Sequence, residues 1–130
     1  MPGSSDILAE ANPGIRNLLA WLWEQGFDTC DSGDGETRQY DCDQPFPFIA
    51  VRVSCPENLI QETRRLVSLF KERGHEAQVL ETPGESLEGK LVIEANFSPA
   101  CSEMPATILV MGLADRHCPW LPSPSTNLAN

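Results

Sequence analysis

The sequence predicts one α+β domain, in which two amphipathic helices pack on one face of a mostly antiparallel sheet of four to five strands. Its 130 residues are the length of an ordinary domain, and 41% of them are hydrophobic. Apolar residues recur at helical spacing in two segments and alternate or run together in several shorter ones. We expect residues 1–12 to be a flexible arm, residues 13–113 to be the domain, and residues 114–130 to be a Pro-rich tail.

Both helices are predicted from their apolar spacing and their boundary residues. The first begins at Asn12-Pro13-Gly14, with Asn12 as the N-cap, and ends at Gly26, so it spans about residues 13–25. The second begins at Pro56 and ends before Gly74. The predicted buried stripes are Ile15, Leu18, Leu19 and Leu22 in the first helix, and Leu59, Thr63, Leu66, Val67 and Phe70 in the second.

The strands are predicted from β-forming residues between breakers. The clearest is 48–54, where Ile49, Val51 and Val53 share one face. Residues 31–39 hold two glycines and several small polar residues, and are therefore predicted to be a loop. The other predicted strands are 27–30, 40–43, 75–81, 90–97 and 106–112, with a turn at 82–85 and a loop at 98–105.

The charge balance limits the class of partner. The net charge is −10, from 19 acidic and 9 basic side chains. Binding to nucleic acid through a broad phosphate footprint is disfavoured, because such footprints need clustered Lys and Arg. An acidic domain can instead bind a basic protein surface, or its charge can serve solubility alone.

Cysteine usage argues against two common cysteine-rich frameworks. There are five cysteines, an odd number, and no C-x-x-C pair, which disfavours both a secreted disulfide framework and a zinc ribbon. The remaining zinc combination, Cys30, Cys42 and Cys55 with His117-Cys118, lacks the close ligand pair of structural zinc sites. With no signal-like or membrane-spanning segment, the protein is expected to be cytoplasmic with reduced thiols and without a metal or cofactor.

Catalytic motifs are also missing from the sequence. His75 and His117 are the two histidines that could act as a base, and no nucleophile-like motif surrounds any cysteine. The sequence has no P-loop, dinucleotide fingerprint, nucleophile elbow or H-E-x-x-H. A non-enzymatic role is favoured, and no catalytic residue is predicted.

The most unusual feature of the sequence is Asp31-Ser32-Gly33-Asp34-Gly35 and the acidic stretch after it. Five acids lie within residues 31–43, with Arg38 as the single basic residue. Three interpretations are open: a divalent-cation site, an anion-binding nest at the two glycines assisted by Arg38 or Arg52, and a solvated turn.

The tryptophans suggest contacts beyond a simple core. Trp21 and Trp23 are two positions apart, so they cannot share one face of a helix, and one of them is a candidate for a subunit interface. A homo-oligomer is therefore an expectation. Trp120, in the Pro-rich tail, is expected either to dock on a partner or to fold back.

The segment from Gly26 to Gly35 resembles a group of small bacteriophage proteins that share the pattern F-x-T-x-D-S-G-D-G. The resemblance extends over about residues 13–112 and includes Pro47-Phe48-Ile49-Ala50-Val51, Glu62-Thr63-Arg64-Arg65-Leu66 and Ile93-Glu94-Ala95-Asn96-Phe97-Ser98-Pro99. It implies a phage accessory protein that acts in the host cytoplasm. Such proteins often counter host defence by binding a defence protein or by sequestering a nucleotide signal.

Three functions follow as hypotheses. The first is a non-enzymatic binding protein for a host factor or a small nucleotide-like signal, whose predicted contact residues are Asp31, Ser32, Gly33, Asp34, Gly35, Arg38 and Arg52. The second is an acidic, anti-CRISPR-like inhibitor that mimics nucleic acid and occludes a basic host surface. The third is a metal-dependent hydrolase that uses the carboxylates of the Asp31–Asp43 stretch.

Overall fold

The computed structural model describes residues 12–35, 46–78, 89–97 and 106–121. Two helices and four strands lie in these ranges, with single 3-10 turns at Pro13–Ile15, Pro56–Asn58 and Asp115–His117. In chain order the elements are α1 (Arg16–Glu24), β1 (Asp28–Asp34), β2 (Pro47–Arg52), α2 (Leu59–Glu72), β3 (Val92–Phe97) and β4 (Ala106–Met111).

The four strands form one antiparallel sheet in the order β1-β2-β4-β3. Together with the two helices, this confirms the predicted α+β fold. Strands β1 and β3 are the two edges of the sheet, and a bulge interrupts β1 between Thr29 and Asp31.

The main core lies between the helices and one face of the sheet. That face presents Ile49 and Val51 from β2, and Ile108 and Val110 from β4, all buried. The helices contribute Leu18, Leu22, Leu66 and Phe70, which are fully buried. A smaller cluster on the other face contains Val92 and Met111 packed with Phe46, Phe48 and Leu109.

The main difference from the predicted elements is the length of β1. Residues 31–34, predicted to be a loop, continue the strand and pair with residues 47–50 of β2. The predicted strand 75–81 is represented, within the described residues, by a single parallel bridge from Gln78 to Val92. The predictions for the 1–11 arm, the 40–43 strand, the 82–85 turn, the 98–105 loop and the tail beyond residue 121 lie outside the described residues.

The segment after β4 belongs to the packed domain. Leu113, Ala114 and Cys118 are buried, and the ring of Trp120 lies 4.8 Å from that of Trp21. The domain therefore continues to at least Leu121 rather than ending at residue 113, and Trp120 folds back. Neither described helix combines the length and the apolar composition that crossing a bilayer requires.

The two tryptophans of α1 occupy different environments. Trp21 is buried and packs edge-on against Phe70, with ring centroids 5.3 Å apart. Trp23 is half-buried, and its indole N–H donates to the Thr29 hydroxyl at 2.8 Å. Trp23 therefore has an intramolecular contact of its own, while the predicted homo-oligomer stays a prediction.

Candidate functional site

The antiparallel register separates the predicted site residues into two groups. Asp34 pairs with Pro47 at one end of the β1–β2 ladder, and Asp28 pairs with Arg52 at the other. Asp34 lies six residue steps along the strand from Asp28, which is roughly 20 Å. We call the first the motif end of the sheet and the second the Arg52 end. Arg38 lies outside the described residues.

At the motif end, two backbone N–H groups of β1 donate to side chains. The Ser32 N–H donates to Asp31 Oδ1 at 2.9 Å, and the Asp34 N–H donates to Asn12 Oδ1 at 3.2 Å. Residues two apart direct their N–H groups to the same side of a strand, and these two donate to side chains rather than to β2, so the bonds occupy donors on the edge of β1 that faces away from β2. Edge strands with such donors occupied are protected against pairing with another strand.

Asp34 is a buried carboxylate with an internal role. Its side chain is 2% exposed, and Oδ2 accepts a hydrogen bond from the Gly14 N–H at 3.2 Å. The Arg116 guanidinium donates to the Asp34 carbonyl oxygen, also at 3.2 Å. Asp34 thus ties the end of β1 to the turn before α1 and to the 3-10 turn after β4.

Both glycines of the motif lie so close to residues of the neighbouring strand that a side chain would clash there. A Cβ on Gly33 would lie 2.8 Å from the Phe48 ring. Gly35 has φ of +79°, and a Cβ there would lie 2.7 Å from the Pro47 backbone nitrogen. These contacts explain the motif as a folding requirement, and its role in ligand binding stays a prediction.

At the Arg52 end, a cleft of about 180 Å³ opens between the end of α1, the β1–β2 pair and the start of α2. Arg52 Nε lies 3.7 Å from Asp28 Oδ2, and both side chains are close to half-exposed. Ser54, Cys55 and Asn58 add further polar groups to the wall. The lining is polar and of mixed charge, so the cleft suits a small polar molecule rather than an apolar one.

A second arginine lies at the rim of this cleft. The Arg65 guanidinium lies over the Phe27 ring at 4.4 Å and donates to the Gln25 carbonyl oxygen. It also lies 3.6 Å from a Glu62 carboxylate oxygen. Arg65 therefore fastens α2 to the end of α1 and is engaged within the fold.

Two of the three described cysteines, Cys30 and Cys118, lie where burial disfavours a reactive thiolate. Burial raises the pKa of the Cys30 thiol, which donates to the Ala50 carbonyl oxygen at 3.6 Å. Burial also raises the pKa of Cys118 to about 12, whereas Cys55 is exposed. Both raised values disfavour the thiolate that nucleophilic and metal-binding cysteines need.

Both histidine rings are engaged by internal donors. His75 Nε2 accepts from the Trp120 indole N–H at 2.9 Å, and His117 Nδ1 accepts from the Ala114 N–H at 3.0 Å. A neutral imidazole has one accepting nitrogen, so each ring uses its lone pair inside the fold. Within the described ranges, no three His, Cys, Asp or Glu side chains gather as a potential metal site.

Asp115 is an important polar residue that the sequence did not reveal. Its two carboxylate oxygens accept from the Asn17 and Leu18 N–H groups at 3.0 and 2.8 Å, and so cap the start of α1 from 97 residues away. Burial raises the pKa of this carboxyl despite these bonds. Asn12, predicted as the N-cap, makes no side-chain cap and binds Asp34 instead.

The negative charge is unevenly distributed along the chain. The described residues hold ten of the nineteen acids and eight of the nine bases, so they are almost neutral. The other nine acids are Asp6, Glu10, Glu36, Asp41, Asp43, Glu81, Glu85, Glu88 and Glu103, accompanied by Arg38.

Eight of these nine acids belong to segments that join the fold at the motif end. Residues 1–11 join at Asn12, which binds Asp34, and residues 36–45 join the paired ends of β1 and β2. Residues 79–88 join at Gln78, which pairs with Val92, and at Gly89, whose N–H donates to the Gly112 carbonyl oxygen at 2.8 Å. The ninth acid, Glu103, lies in a segment that joins at the Arg52 end.

Comparison of the chain with protein-family models, with curated proteins and with solved structures gave no match.

Proposed function

We propose that the protein is a non-enzymatic acidic binding protein, which contacts a basic surface of a partner protein through the motif end of its sheet. The observation that carries the proposal is the attachment of eight of the nineteen acids to that end. A ten-residue segment anchored at both ends reaches at most about 17 Å from its anchors. Six of the eight acids lie in two such segments, so their anchors keep them within that distance of the motif end.

The chemistry of this end favours a basic partner. Lys90 and Arg116 also lie there, but they are outnumbered by the acids of the three attached segments. A single-sign field of this kind speeds encounter with an oppositely charged surface and repels phosphate backbones. Resemblance to small bacteriophage proteins adds the proposal that the partner is a nucleic-acid-binding host defence protein in the cytoplasm, occluded in an anti-CRISPR-like manner.

The mode of contact is expected to be through side chains. Two edge donors of β1 are occupied by Asp31 and Asn12, so addition of a partner strand along this part of β1 is disfavoured. Asp31 is exposed beside them and is available as a contact residue. Ser32, Gly33, Asp34, Gly35 and Arg38 are the other predicted contact residues on this side.

The test compares two triple variants of equal charge. Glu36→Gln, Asp41→Asn and Asp43→Asn remove three acids from a segment at the motif end. The matched control, Glu24→Gln, Glu57→Gln and Glu103→Gln, removes three acids elsewhere. The probe is a deca-arginine peptide, titrated by calorimetry at low and physiological salt.

We expect the motif-end variant to bind the probe at least about fivefold more weakly than the wild-type protein, and the control to change by less than about twofold. If both variants lost the same affinity for the probe, net charge alone would explain the binding, and the proposal would be refuted. A basic host protein captured by the wild type should, in addition, lose its DNA binding when the wild-type protein is added.

A second candidate function is the binding of a small nucleotide-like ligand in the Arg52 cleft. The half-exposed Arg52, which lines this cleft, favours it because its guanidinium can pair with a phosphate. Thermal-shift measurements with cyclic nucleotides and ADP-ribose derivatives should show stabilisation that Arg52→Ala removes and Arg64→Ala, at an exposed position on α2, retains. No shift with any of these ligands would eliminate this candidate.

The hydrolase hypothesis receives no support from the described carboxylates. Asp31 is exposed, whereas Asp34 is buried and accepts a backbone N–H. A metal-dependent hydrolase needs several carboxylates that converge on one point.

A further inference from the structure

The segment that follows β4 is held against both helices by a small number of polar contacts. Asp115 caps α1. Cys118 is 2% exposed and packs in the core. Trp120 then packs edge-on against Trp21 and donates its indole N–H to His75 Nε2 at 2.9 Å. His75 lies three residues beyond the end of α2 and donates its backbone N–H to the Phe70 carbonyl oxygen at 2.9 Å, so the Trp120–His75 bond joins the end of the segment to the second helix.

The Trp120–His75 bond depends on the protonation state of the imidazole. An indole N–H can only donate, so His75 Nε2 must be the unprotonated nitrogen of the ring. Protonation at Nε2 places two donors against each other, and the bond is lost. A cleft of about 260 Å³, lined in part by Gly74, Gln78 and Leu91, opens beside His75 and gives water access to the ring.

We propose that residues 118–121 form an acid-sensitive latch, by which we mean a segment that is held against α1 and α2 at neutral pH. The segment detaches when His75 accepts a proton at Nε2. The released state would expose the Trp21 ring and the Cys118 thiol, both buried in the latched state. This inference is independent of the proposed acidic interface, because none of the latch residues belongs to the acidic segments.

The surroundings of His75 favour the neutral imidazole, which is the form that accepts from Trp120. Burial, and then the charge of His117, lower the pKa of His75 below its ordinary value of 6.5. Arg73, at the end of α2, lies over the Trp120 ring at 5.2 Å. Glu76 lies in the loop of His75, and Lys90 lies between Gly89 and Leu91 of the cleft wall.

The sign of the pH dependence follows from the lowered pKa. On acidification the unfolded chain takes up the proton first, near pH 6.5. The stability that the neutral ring contributes is therefore complete above that pH, and it is lost as the pH falls toward the lower pKa of the folded state.

The test follows the Trp120 indole N–H by NMR between pH 8 and pH 5, with Trp120→Phe used to assign the signal. We expect its solvent exchange, corrected for the intrinsic pH dependence, to become at least about tenfold faster as the pH falls. The midpoint should coincide with the titration of the His75 ring in the same wild-type sample and should lie below pH 6.5.

His75→Gln is the informative variant, because glutamine keeps an acceptor oxygen and does not titrate in this range. It should abolish the pH-dependent step. The control His117→Gln should retain that step and move its midpoint upward, since the charge of His117 lowers the pKa of His75. A Trp120 signal that is independent of pH, or a midpoint that differs from that of His75 in the wild type, would overturn the proposal.

Discussion

The two ends of the β1–β2 ladder use polar residues in opposite ways. At the motif end, Asp34 is buried and bonded to backbone, and glycine is required beside Phe48 and Pro47. At the Arg52 end, Arg52 and Asp28 form an ion pair with both side chains close to half-exposed. The motif end has the more distinctive sequence, and it is also the end where more of the residues have a structural role in the fold.

This comparison separates distinctiveness of sequence from function. A sequence motif can be distinctive for purely structural reasons. At the motif end, one short segment must supply an edge strand, a buried carboxylate at Asp34, and glycines at the two positions where a Cβ would clash with Phe48 and Pro47. Under the proposed function, the motif end would contribute to binding mainly by anchoring the acidic segments that flank it. Substitutions at the two ends should reveal the contrast as a difference in the free energy of unfolding.

The largest effect is expected for Gly35→Ala. The positive φ costs a non-glycine residue about 1–2 kcal/mol, and the contact with the Pro47 backbone adds to it, for a total of about 3 kcal/mol. The control is Gly74→Ala, which has φ of +88° and no atom within 4 Å of its new Cβ. Urea denaturation should show Gly35→Ala to be about 2 kcal/mol more destabilising than the control. Equal costs would mean that the close approach of β2 is not a constraint.

An intermediate effect is expected for Asp34→Ala. It removes the acceptor of the Gly14 N–H at a buried position, and we expect a loss of about 2 kcal/mol. Asp31→Ala is the matched control, since Asp31 also accepts a backbone N–H but is exposed, and it should cost about 0.5 kcal/mol. If the two variants unfold at the same denaturant concentration, the distinction between these two aspartates is wrong.

The smallest effect is expected for Arg52→Ala. Exposed ion pairs contribute little, so the free energy of unfolding should change by no more than about 0.5 kcal/mol. Asp28→Ala should give a similarly small change. A loss near that of Asp34→Ala would show that the Arg52 end is also a structural centre, and would remove the contrast between the ends.

The sequence predicted the helices and the strands β2, β3 and β4 because their apolar periodicity is strong. The prediction of a loop at Asp31–Asp34 was wrong. Asp, Ser and Gly have low β-propensity, so local pattern does not indicate a strand here. This part of β1 is stabilised instead by residues distant in the sequence, namely β2 and the side chain of Asn12. The separation of Arg52 from Asp34 follows from register, which local pattern does not determine. Asp115 was missed for a similar reason, since its helix lies 97 residues away in the chain.

That long separation also bears on synthesis and folding. The first turn of α1 receives its carboxylate cap only after residue 115 has left the ribosome. Such non-local contacts slow folding, because distant parts of the chain must meet before the bond contributes. The carboxylate cap of α1 is thus a contact that requires both sequence-distant parts of the described fold to be packed together.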